Sequence, residues 1–244
     1  MNSGILMEYS LVHAALRYTA LGLSVAPLLP RSKFFDYEAL GQVGSLDFRG
    51  RPSWRTFSRR LPTPAEIESW FSSGERNLAI LTGFRGLLVL DFDAPSSYDR
   101  WSAAFGHVAA RTSVQQTSRG FHVFFRWPGV WITRWRTGIA FRLLGDAVDR
   151  AGQMKGPATY VAAWPSIHPS GWRYSWLPGQ APWEAGIADI HSLREIGIEP
   201  DKKIPDAYWA FALKTIKDPG LGLRFLWRWL VHRVRTARGR PARY

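Results

Sequence analysis

Four consecutive apolar residues, Leu87 to Leu90, run straight into Asp91, Phe92 and Asp93. A short apolar run bounded by turn residues reads as a buried strand. Side chains alternate along a strand, so Asp91 and Asp93 are expected on one face. Two carboxylates on one face repel each other unless something positive lies between them. A hard divalent cation, Mg²⁺ or Mn²⁺, answers that need, and Mg²⁺ characteristically takes one or two carboxylates together with phosphate oxygens and water. The pair therefore points to chemistry on phosphates. A strand end with merely solvated acids, or Asp93 as a helix N-cap, accounts for the same spacing without any function.

Charge narrows the partners. The 244 residues carry 32 Lys and Arg against 19 Asp and Glu, a net charge of +13. Such a surplus favours polyanions, nucleic acid first and an anionic membrane surface second, with a simple solubility charge as the bland alternative. Hydrophobic residues make up 46% of the chain, which places it among globular proteins. There is no cysteine, which excludes disulfides and thiolate metal sites and fits a reducing compartment. No apolar run approaches the roughly 20 residues of a membrane span. The first residues lack the layout of a signal peptide, so a cytoplasmic location is expected. Thirteen tryptophans stand among many arginines, a pairing that can stack bases but that also serves ordinary packing.

The elements read as α+β with a mixed or antiparallel sheet. Residues 8–22 predict a helix, with Leu11, Ala14, Ala15, Tyr18 and Leu21 near helical spacing and Gly22 as its cap. LSVAPLLP predicts a strand, and residues 31–61 read as irregular and basic. Thr63, Pro64 and Glu66 form a capping-box signature that opens a helix ending near Trp70. NLAILTG and GLLVLDFD predict two strands joined at Phe84–Gly86, and residues 95–106 a helix. TSVQQTS, GFHVFFRW, ATYVAAWPS and WRYSWLP predict further strands, with loop over 178–186. Residues 201–244 hold 11 Lys or Arg against 3 Asp. They predict one or two helices, with Leu223, Leu226, Leu230 and Val234 on one face and Arg224, Arg228 and Arg235 on another. That helix could pack on the core, contact template phosphates through the three arginines, or lie on a membrane surface.

Three enzyme classes place two acids this way after an apolar strand: haloacid-dehalogenase-type phosphatases, metal-dependent glycosyltransferases and archaeo-eukaryotic-type primases. Pro95 and the mid-chain position argue against the first. Downstream, Ser118, Arg119 and His122 converge in and after the turn of TSRGFHVFF, giving donors suited to a triphosphate. Taken in order, NLAILTGFRGLLVLDFD, TSRGFHVFFRWPG and KGPATYVAAWPSIHPSGWRYSW resemble the bifunctional DNA primase/polymerase (prim-pol) family of plasmids, phages and integrated elements. ALRYTALGLSVAPLLPRSK resembles its opening helix, strand and Lys-bearing turn. The resemblance covers roughly residues 8–177.

That resemblance implies an archaeo-eukaryotic primase catalytic core, an RRM-like sheet with flanking helices, expected over residues 8–190; the basic segment 201–244, read as helical from its own pattern, is expected to follow it as a separate extension. It implies a nucleotidyltransferase that makes or extends primers on single-stranded DNA from dNTP or NTP, with Mg²⁺ or Mn²⁺. Asp91 and Asp93 match the family's metal-binding acids. Ser118 and His122 match its second motif, at the nucleotide phosphates, with His122 also counted as catalytic, and Arg119 in the same turn is expected to help hold the triphosphate. Lys155 matches a basic residue of its third motif. The family usually carries a third acid two residues before that lysine, where this chain has Gln153. Asp149 or Asp146 could supply the missing ligand. A site left without one would make this a non-catalytic, DNA-binding replication protein. The chain has no GxxxxGK[ST] motif, so unwinding is expected to fall to a separate helicase.

Overall fold

The computed structural model describes residues 10–72, 75–127, 129–130, 138–145 and 150–200. The chain divides into two compact units, Met1–Lys202 and Lys203–Tyr244, and all described residues lie in the first. Asp146, Asp149, Arg224, Arg228 and Arg235 fall outside the described residues.

The chain enters through α1 (Leu11–Ala20), whose first turn is capped by Ser10 accepting from His13 N–H. It continues into β1 (Val25–Leu28), α2 (Tyr37–Gln42), a 3₁₀ turn (Trp54–Ser58) and α3 (Pro64–Phe71). The expected capping box opens α3: Thr63 accepts from Glu66 N–H while the Glu66 carboxylate accepts from Thr63 N–H. Two helical segments therefore occupy a stretch that reads as irregular from sequence. Each is only six or five residues long, too short to show a period, and each is set by a side-chain cap, Asp36 for α2 and Ser53 for the 3₁₀ turn.

Then come β2 (Asn77–Leu81), β3 (Leu87–Phe92), α4 (Pro95–Ala104), α5 (Gly106–Ala109), β4 (Val114–Gln116) and β5 (Phe121–Arg126). The last strands are β6 (Ile139–Leu143), β7 (Gly152–Lys155), β8 (Tyr160–Ala163), β9 (Ser175–Trp176), β10 (Ala188–Asp189) and β11 (Ile198–Pro200). Strands β6, β7, β10 and β11 go beyond the strands expected from sequence. The short, polar Gly-Gln-Met-Lys of β7 carries little strand signal of its own and is specified by its neighbours.

These strands make two sheets. A three-stranded sheet runs in the order β1-β2-β8, and a larger one in the order β11-β6-β7-β3-β5-β4-β9, with β10 added alongside β5. All pairings are antiparallel except that of β10 with β5. Three chain segments pass from one sheet to the other: β2 leads into β3, β7 into β8, and β8 into β9. Thr82 and Thr159 join the first two of these crossings, their hydroxyls 2.7 Å apart.

Each face of the larger sheet has its own cover. Leu90, Phe92, Val123 and Phe125 point one way by strand alternation. There Phe92 and Phe125 meet Trp101 of α4, whose ring N–H donates to the Ile196 carbonyl at 2.8 Å. On the other face Val89 and Phe124 join the core shared by α1, α3 and the smaller sheet. Asp91 and His122 stand on that second face, beyond the edge of this core. Among the described residues, no helix is long and apolar enough to cross a membrane.

Candidate active site

One row of side chains crosses the larger sheet. Asp91 of β3 lies opposite Gln153 of β7 on one side and His122 of β5 on the other. His122 lies opposite Gln115 of β4, and Gln115 opposite Trp176 of β9. Residues directly opposite share a face, so five strands deliver this row to one surface. Two glycines let the strands close up here. A Cβ at Gly152 would strike the Asp91 carbonyl, and one at Gly120 would strike the Phe92 carbonyl.

Asp91 sits among basic side chains. His122 Nε2 is 3.4 Å from Asp91 Oδ1, and Lys155 Nζ is 3.5 Å from Asp91 Oδ2. Lys155 also donates to Gln153 Oε1 at 2.6 Å. Burial works to raise the Asp91 carboxyl, but His122, Lys155 and Lys33 outweigh it and hold the group at about 2. The carboxylate is thus fully ionised at neutral pH. Asp93 has a different environment: its side chain is 54% exposed, and Arg150 Nη2 approaches Asp93 Oδ2 to 3.4 Å.

His122 is buried and held from both sides. Tyr174 stacks against it, with ring centres 6.2 Å apart. Gln115, fully buried, holds its Nδ1 at 3.0 Å. The same Gln115 amide donates to the Ala162 carbonyl at 3.0 Å and accepts from Trp164 N–H at 2.8 Å. Ala162 lies in β8, at the edge of the smaller sheet, and Trp164 is the residue just after its end, so this side-chain amide takes the part a peptide group of a further strand would play. With both of those bonds kept, the second amide hydrogen of Gln115 points at His122 Nδ1. The imidazole hydrogen is then on Nε2, facing Asp91.

The turn before β5 is tied by Thr117, whose hydroxyl accepts from Gly120 N–H at 3.0 Å and Arg119 N–H at 3.3 Å. It presents Ser118 half-buried and Arg119 exposed. Arg119 and Lys33 both act on His168, which partial burial and these two charges push below its usual value. Burial raises the Tyr174 hydroxyl, and the Asp91 charge adds to the effect.

Of the residues singled out from sequence, Asp91, His122, Lys155 and Gln153 come together directly. Asp93 pairs with Arg150 instead. Gln115, Tyr174, His168 and Lys33 had no assigned role, although each stood inside a stretch already read as motif or strand. The signal for Gln115 was a long polar side chain at an inward position of a strand. Among the described residues, no group of three or more His, Cys, Asp or Glu side chains is arranged to hold a metal ion.

This is a mixed α+β protein whose antiparallel sheet carries an ionised carboxylate among basic side chains. The family model for the bifunctional DNA primase/polymerase N-terminal domain matches residues 15–194, and the chain belongs to that family. Its class of activity is accordingly that of a DNA primase/polymerase, with DNA and nucleotides as substrates. No curated protein matches the chain.

Proposed function

We propose that this protein carries out template-directed nucleotidyl transfer, synthesising or extending primers on single-stranded DNA for a plasmid, phage or integrated element. The observation that carries this reading is Asp91, kept ionised between His122 and Lys155 at the centre of the sheet. In this reading the catalytic core is the RRM-like domain of residues 8–190, and residues 201–244 are a basic helical extension that binds template through Arg224, Arg228 and Arg235. A separate helicase opens the duplex, and the protein works in the cytoplasm.

The donor chemistry at the site fits Mg²⁺ or Mn²⁺. Asp91 is ionised at neutral pH and Asp93 is open to solvent, which matches the one or two carboxylates such an ion takes beside phosphate oxygens. Asp91 and Asp93 would hold the ion. When bound, it would supply Lewis-acid stabilisation of charge on the reacting phosphates. Gln153 brings no charge, and its oxygen is already taken by Lys155. Asp149, four residues before Gln153 in the chain, is the acid that would complete the set.

The chain's own side chains then divide the work. Lys155, Arg119 and Ser118 bind the triphosphate and offset its charge. His122 presents its Nε2 hydrogen towards Asp91 and the phosphates, adding a donor where negative charge grows on the leaving group. Gln115 and Tyr174 keep that ring from turning.

A second reading has its own observation. The register puts Gln153, not an acid, opposite Asp91. On that reading the core binds DNA without making product. Primer extension and de novo synthesis on single-stranded DNA, with Mg²⁺ or Mn²⁺, separate the two. Product from the wild type that vanishes in Asp91→Ala and Asp93→Ala is the expected result. Tight DNA binding with no product under either metal would overturn the catalytic reading in favour of the second.

A further inference from the structure

The loop between β1 and α2 holds an aromatic ring out in solvent. Phe34 is 75% exposed, yet the backbone around it is firmly tied. Phe34 N–H donates to Ser32 Oγ at 3.0 Å, and its carbonyl accepts from Leu29 N–H at 2.9 Å. The Ser32 carbonyl accepts from Asn77 Nδ2 at 3.1 Å, and the Lys33 carbonyl from the Tyr160 hydroxyl at 2.6 Å. A loop with no role for this ring could fold it inward or carry a polar residue instead.

Phe34 does not stand alone. The buried Phe35 beside it stacks on Trp54 at 5.1 Å and packs on Tyr160 at 4.4 Å, and half-exposed Tyr37 lies 6.2 Å away. Basic side chains are interleaved with these rings: Lys33 is exposed at the tip, and the Arg55 guanidinium lies 5.6 Å from the Trp54 ring centre. The result is an aromatic patch with positive charge running through it.

The patch adjoins the candidate active site. Asn77, which holds Ser32, also donates to the Ile167 carbonyl at 2.7 Å and accepts from Ile167 N–H at 2.9 Å. The next residue, His168, meets the Tyr174 ring at 6.2 Å, and Tyr174 stacks on His122. The Lys33 charge reaches Asp91 itself.

We infer that Phe34, with Tyr37 three residues further along the chain, is a stacking platform for an unpaired base of the DNA strand as it enters or leaves the site. This rests on the proposed function and adds a binding surface to it. Exposed aromatic faces interleaved with Lys and Arg suit single-stranded nucleic acid, because every base has a stacking face and every linkage a negative charge. The same positive charge disfavours a basic partner, and the tied backbone presents the ring with little ordering left to do on binding.

The test uses the full chain and a fluorescent oligo-dT strand, with binding followed by anisotropy at several salt concentrations. Phe34→Ala is expected to weaken binding about tenfold. Its salt dependence should match the wild type, because no charge is removed. Phe34→Trp is expected to restore affinity, and Phe34→Ala/Tyr37→Ala to weaken it further. Thermal unfolding of each variant should match the wild type, as expected for so exposed a ring. Wild-type affinity in Phe34→Ala would overturn the stacking platform while leaving the proposed function standing. A wild type that neither binds the strand nor makes product would overturn both.

Discussion

Gln115→Leu probes the join between the two sheets and the site at once. Leucine has nearly the same volume and an apolar end, so the change removes hydrogen bonds with little loss of packing. Gln115 is fully buried and makes three of them: to His122 Nδ1, to the Ala162 carbonyl and from Trp164 N–H. In the variant the Ala162 carbonyl and the Trp164 N–H lose their partner at the edge of β8. A buried polar group left without a partner costs about 1–3 kcal/mol. Trp164 is only partly buried, so water offsets part of its loss, and the expected destabilisation is about 2–4 kcal/mol. Domains of this kind have about 5–15 kcal/mol in hand, so the variant still folds. Urea unfolding reads that loss directly. Long-range nitrogen–proton NMR of labelled histidine reads the second consequence: the His122 hydrogen is no longer confined to Nε2. A loss below about 0.5 kcal/mol, together with an unchanged tautomer, would refute the argument that one side-chain amide both closes the sheet edge and aims the imidazole.

Two further outcomes are expected. The folded Asp91 carboxyl is held at about 2 against an ordinary 3.8, so its ionisation stabilises the fold above about pH 4, and that contribution disappears as pH falls from 4 towards 2. The shift corresponds to about 2 kcal/mol, so urea titrations of Asp91→Asn should show a correspondingly shallower acid limb than the wild type, and an identical limb would refute it. Trp101→Phe removes the ring N–H that the Ile196 carbonyl accepts, and should cost about 1–3 kcal/mol in urea unfolding while leaving oligo-dT affinity unchanged.

Much of the site was legible because its signals are local. Asp91 and Asp93 follow an apolar run, and His122 follows a turn rich in Ser, Arg and Gly. The capping box at Thr63 fixes its helix from three residues. What stayed hidden depends on partners distant in the chain. Gln115 looks like any polar residue in TSVQQTS until β8, nearly fifty residues on, brings its free edge to meet it. From sequence, Gln153 stood at the third-acid position only through the family resemblance, and the register of β3 with β7 now sets it opposite Asp91. Phe34 sits in a segment that reads as irregular, and sequence alone does not tell a tied loop from a loose one. The different surroundings of Asp91 and Asp93 were equally out of reach, since the spacing treats the two acids alike.

The crossings between the sheets also set an order of events during synthesis. Strand β2 waits for β8, and β3 is flanked on one side by β5 and on the other by β7, whose residues follow Arg150. A nascent chain that has emerged only as far as Arg150 can pair β3 with β5 and so bring His122 to Asp91. It leaves one flank of β2 and one flank of β3 bare, and Lys155 has yet to arrive. Two apolar strands with open flanks invite pairing with other chains. The last quarter of this domain therefore acts as a clasp: until it closes, the polypeptide has the acid of its site but neither the lysine that faces it nor protection from its neighbours on the ribosome.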